Sequence, residues 1–89
     1  MYPKYQSHRV EAFKIREIEY DADKAHVLKR ETDGSAILHP EDKTLHAKVV
    51  DREYIQSQKP KEGGYWVKFE NGSEHWLSEN FFEEAYLKN

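Results

Sequence analysis

From Val10 to Tyr20 apolar and charged residues alternate, with Phe13 and Ile15 on one parity and Ile18 and Tyr20 on the other. Period-2 alternation predicts a strand, and a bulge at Arg16 and Glu17 would bring the two sets onto one buried face. Residues 23–31 turn helical: Asp23 is an N-cap candidate, helix formers follow, basic residues fill the last turn and Gly34 is a stop. Ala25, Val27 and Leu28 are its only anchors. Residues 36–39 and 44–50 read as a hairpin turned by Pro40, Glu41, Asp42 and Lys43, with Leu45, Ala47 and Val49 sharing a face. Asp51 can cap one helical turn through Ile55, and Gly63-Gly64 marks a break.

The strongest local signal is Asn71-Gly72 between residues 65–70 and 73–77, the pair best suited to the two positive φ angles of a type I′ turn. That turn sets Val67 opposite Trp76 and Lys68 opposite His75. Tyr65, Val67, Phe69 and Trp76 then form the core side, and Trp66, Lys68, Glu70, His75 and Leu77 the other. Trp76 is expected in the core and Trp66 nearer solvent. Ser78 or Asn80 can cap a closing helix over residues 79–87 that seals the core through Phe81 or Phe82, Ala85 and Tyr86. The fold class is α+β: a small antiparallel sheet of two hairpins and an N-terminal strand, a short C-terminal helix, and one more short helix before the middle of the chain.

Composition narrows the picture. The 89 residues make one domain with an ordered core over about residues 5–87, because so short a chain cannot divide into two useful cores. Charged residues are 35% and hydrophobic ones 37%, which raises disorder, but 13% aromatics supply enough buried area to oppose it. With no cysteine, disulfides and thiolate metal sites are excluded. No apolar run approaches a membrane span or a signal peptide, so the chain is expected in the cytoplasm. Net charge is −3; lysines and arginines number seven on each side of Arg30, that residue included in the first part, against five acids before and twelve after. No basic stripe for nucleic acid results.

Chemistry is sparse. His8, His26, His39, His46 and His75 include no pair at i, i+2 or i, i+4. His39 and His46 could meet across the first hairpin near Glu41 and Asp42, but three converging ligands are not visible, so the histidines read as scattered and no metal or cofactor is expected. Ser7, Ser35, Ser57, Ser73 and Ser78 lack a Gly-x-Ser-x-Gly elbow, and Gly63-Gly64 lacks the phosphate-binding pattern with its lysine. The chain is not expected to be an enzyme. The candidate binding face is that of Trp66, Lys68, Glu70, His75 and Leu77. It is either a second covered side, with Trp66 beneath the N-terminal segment, or a partner-binding surface.

The run Gly63-Gly64-Tyr65-Trp66-Val67-Lys68-Phe69-Glu70-Asn71-Gly72, then Ser78 and Phe82-Glu83-Glu84-Ala85-Tyr86, resembles small uncharacterised proteins of tailed bacteriophages. Those read Gly-Gly-Tyr-Tyr-Val, Asp-Gly, Ser-Pro and an Ala-Phe-Glu-x-Gly-Tyr ending. The opening His8, Val10, Glu11, Ala12 and Phe13 and the stretch from Glu31 through Asp33-Gly34 to Leu38 are similar as well. Departures are Asn71 for Asp, Glu79 for Pro, Ala85 for Gly and a spacing one residue shorter before Tyr86. The resemblance implies a phage product made in the bacterial host cytoplasm, accessory rather than a capsid or tail component, and it transfers no activity. The leading expectation is a noncatalytic module that binds and modulates a host protein. One alternative is binding of a nucleotide or single-stranded nucleic acid by Trp66, Lys68 and His75, and another is a minor virion or assembly component.

Overall fold

The computed structural model describes residues 2–5 and 10–87. The expectations placed on Ser7 and His8 lie outside the described residues. Among the described residues six strands form one antiparallel sheet, with three short α-helices around it. The α+β expectation holds.

The central strand is β2 (Val10–Tyr20), preceded by the short β1 (Lys4–Tyr5) that pairs with its start. The bulge is where the parity change places it: pairing with β3 (Ala36–Pro40) runs Ile15 to Pro40, then jumps to Glu17 with His39. The extra residue puts Phe13, Ile15 and Ile18 on one face. On the opposite edge the Ile18 amide is taken up by the Glu62 carboxylate at 3.1 Å.

Helix α1 (Asp21–Leu28) starts two residues earlier than its pattern suggests, because β2 runs straight into it without a side-chain cap. Asp21 instead grips Arg30 at 2.8 Å and the Thr32 hydroxyl at 2.9 Å, tying the start of the helix to the chain beyond its end. Only Ala25 is buried; Val27 and Leu28 are 76% and 58% exposed, so they do not anchor it.

The first hairpin is shorter on its second side than expected. Asp42 accepts from the amide and hydroxyl of Thr44, which prolongs the turn, and β4 is only Lys48–Val50. Leu45 packs on the core while Val49 is 64% exposed, so the two do not share a face. Asp51 caps α2 (Arg52–Gln58), accepting the Tyr54 amide at 2.9 Å, and the helix runs one turn past Ile55.

The second hairpin, β5 (Tyr65–Phe69) and β6 (Glu74–Leu77), corrects the expected register by one residue. Trp66 stands opposite Trp76 and Val67 opposite His75. The loop holds three residues, with the Gly72 amide bonded to the Phe69 carbonyl and the Phe69 amide to the Ser73 carbonyl. Gly72 has φ 91° whereas Asn71 does not enter the positive region. Asn71 Oδ1 accepts from both the amide and the hydroxyl of Ser73, a local turn that competes with the type I′ geometry and wins. Because side chains alternate, a one-residue slip exchanges the faces of every β6 residue.

Strand order is β4-β3-β2-β5-β6, with β1 beside β2. The terminal strands nevertheless approach each other, since Lys48 Nζ of β4 lies 3.5 Å from Glu74 Oε2 of β6. The sheet is therefore curled. Its inner face holds Phe13, Ile15, Ile18, Leu38, Val50, Tyr54 and Trp66. Its outer face holds Val10, Ala12, Tyr65, Val67 and Phe82. Phe82 belongs to α3 (Glu79–Phe82), capped by Ser78 and continued as a wider π-helical turn over Glu83–Leu87. The Phe82 ring stacks on Tyr65 at 4.0 Å and on Tyr86 at 4.9 Å, and Lys14 pairs with Glu79 at the start of the helix.

Candidate functional site

The structure splits the face expected to bind. Trp66 and Lys68 point inward with Trp76 and Glu74, Glu70 falls in the loop, and His75 and Leu77 sit on the outer face with Val67. Trp66 is 1% exposed rather than the freer of the two indoles. Its ring lies between Phe13, stacked at 5.2 Å, and Tyr2 at 4.8 Å, beneath the N-terminal segment. The indole N–H donates to Glu74 Oε1 at 3.0 Å, and the same carboxylate pairs with Lys48, whose ammonium stands 5.6 Å from the Trp66 ring centroid. Trp76, expected in the core, is half-buried and closes the cluster from the side, its N–H donating to the Lys61 carbonyl at 3.1 Å. Both faces of β5 are covered, the inner by Phe13 and Tyr2 and the outer by Phe82. His75 is packed edge-on against Phe69 and meets Ser73 Oγ at 3.2 Å.

What the sequence does not display is a groove of about 700 Å³ where the curled sheet stops short of closing. One wall is β4, with Val49 and Val50; the other is β6, with Glu74 and His75; α2 supplies Glu53, Tyr54, Ser57 and Gln58. Its lining contains four carboxylates, those of Asp33, Asp51, Glu53 and Glu74, and no lysine or arginine. The Tyr54 hydroxyl donates to the His75 carbonyl at 2.9 Å, and burial, followed by the negative charge of Glu74, pushes its phenol pKa above the ordinary tyrosine value. The Asp33 carboxyl is held below the usual range by the hydroxyl and amide of Ser35. Of this set only the Asp51 cap carries a sequence signal. Asp33, Glu53 and Glu74 are brought together by topology alone.

His39 pairs with Glu19 at 3.0 Å across β2 and β3. Among the described residues no helix is long and apolar enough to cross a membrane.

No family model and no curated protein matches the sequence. A solved structure does resemble the fold: the solution structure of the monomeric form of the phage L decoration protein, with a TM-score of 0.60 and 24% identity over 96% of this chain. What is shared is the fold. The chain spans 55% of the length of that decoration protein.

Proposed function

We propose that this chain is a noncatalytic accessory module of a phage particle, attached to the particle by protein–protein contact. The observation that carries the reading is the likeness of nearly the whole chain, 96% of it, to a phage decoration protein. The resemblance of the Gly63-to-Tyr86 pattern to tailed-phage proteins supports the same origin from an independent direction. Of the roles raised by the sequence, a virion component is better supported than modulation of a host protein, which has no observation of its own. Base stacking loses its platform, because Phe13 and Tyr2 already occupy the surroundings of Trp66. The test is co-sedimentation of the purified chain with purified particles of the phage that carries this gene. Saturable binding at a fixed number of copies per particle is expected. Protein remaining in the supernatant at micromolar concentration overturns the reading.

A further inference from the structure

We infer that the outer edge of β4, with the groove it borders, docks an extended basic segment of a partner protein by strand addition. This deepens the particle-binding reading and rests on it only for taking the partner to be a protein.

The two ends of the sheet are finished differently. Along β6, α2 covers the edge: Gln58 Oε1 accepts the outward-pointing Trp76 amide at 3.1 Å. Along β4, among the described residues, the backbone of residues 48–50 pairs with β3 and with no other element. Unpaired amides and carbonyls on a terminal strand are a template for a further strand, and folded proteins ordinarily blunt such edges with proline, charge or a covering element. β4 has no proline. Its lysine is turned to Glu74 across the gap, and its central side chain is the 64% exposed Val49. A lone exposed valine is unremarkable on a surface. Here it sits on an open edge and lines a groove of about 700 Å³.

Charge selects the occupant. Four carboxylates line the groove, and the cations around it are already engaged: Lys48 with Glu74, Arg30 with Asp21, and Arg52 with the Thr32 carbonyl at 3.4 Å. An acidic segment would be repelled. A segment alternating apolar and basic residues would lay its backbone on β4 and send its basic side chains toward Asp33 and Glu53, since successive side chains of a strand point to opposite faces.

The test is amide chemical-shift mapping of the full chain with three synthetic peptides: alternating valine and lysine, the same peptide with proline at alternate positions, and alternating valine and glutamate. The valine–lysine peptide should shift residues 48–50 and Glu53, bind more weakly as salt rises, and bind about tenfold better than the proline peptide, which cannot complete the ladder. The glutamate peptide should not bind at millimolar concentration. Val49→Pro should weaken the valine–lysine complex, and so should Glu53→Lys, which alters an exposed side chain and leaves the core intact. Equal binding of the lysine and proline peptides, shifts centred away from β4, or no binding at millimolar concentration overturns the inference. The titration uses no particles, so its failure and the failure of the particle-binding reading are seen separately.

Discussion

Trp66 and Trp76 stand directly opposite each other across β5 and β6, on the same face of the hairpin, the first fully buried and the second partly buried beside it. Their unequal burial sets unequal costs. Trp66→Ala should destabilise by about 3–5 kcal/mol, as for other large-to-small changes at fully buried aromatic sites. Trp76→Ala should cost on the order of 1–2 kcal/mol, since only part of its surface leaves water. Denaturant unfolding followed by circular dichroism compares them; a larger loss in the Trp76 variant would contradict the register.

Gly72 and Gly64 are required for different reasons, and substitution separates them. Gly72 has φ 91° with open space around it, so L-alanine there should cost roughly 1–3 kcal/mol of backbone strain. D-alanine introduced by chemical synthesis should restore stability. At Gly64 the backbone is ordinary, but a Cβ would lie 2.4 Å from the Trp76 indole. Gly64→Ala should therefore cost about 1–3 kcal/mol by overpacking and shift the Trp76 fluorescence. Equal effects of L- and D-alanine at Gly72 would reject the left-handed turn.

Much of this was legible in the sequence where a local rule had no rival. The parity change between Ile15 and Ile18 announces the bulge, and Ser78 announces the start of α3. Asn71-Gly72 announces a turn but not its length: the pair serves a two-residue loop if Asn71 takes positive φ, or a three-residue loop if its side chain bonds Ser73, and that choice decides which face carries Trp76. The one-residue slip parts His75 and Leu77 from Trp66 and Lys68, whereas the burial of Trp66 comes from Phe13 and Tyr2 and does not depend on it. The groove was not legible at all, because Asp33, Glu53 and Glu74 meet only when the sheet curls.

The closing helix should be needed for cooperative folding. Phe82 is fully buried between Tyr65, Tyr5 and Tyr86, whereas Phe81 beside it is 60% exposed. Phe82→Ala should cost about 3–5 kcal/mol. Phe81→Ala should stay within about 0.5 kcal/mol of the parent. Deleting residues 79–89 should abolish the cooperative thermal transition, and a truncated chain melting near the intact temperature would show the segment to be peripheral.

Stability should fall in acid through identifiable carboxylates. Asp21 is held below the ordinary carboxyl range by its hydrogen bonds from Arg30 and Thr32, Asp33 by Ser35, and Asp42 by Thr44. A carboxyl with a lowered folded-state pKa contributes stability that is complete above its unfolded value, near pH 4, and is lost as pH falls through the folded value. The denaturation midpoint should thus be flat from about pH 7 to 5 and drop below about pH 4. Asp21→Asn should make the acid drop shallower. An unchanged slope in that variant would remove Asp21 from the account.

The reading proposed above is that the chain travels with a phage particle. Quantitative mass spectrometry of gradient-purified particles of the phage carrying this gene tests it most directly. The account predicts peptides of this chain in the particle band, at a reproducible ratio to the major head protein that survives a second gradient. Peptides confined to the soluble fraction of the infected-cell lysate, with none in the band, would contradict it.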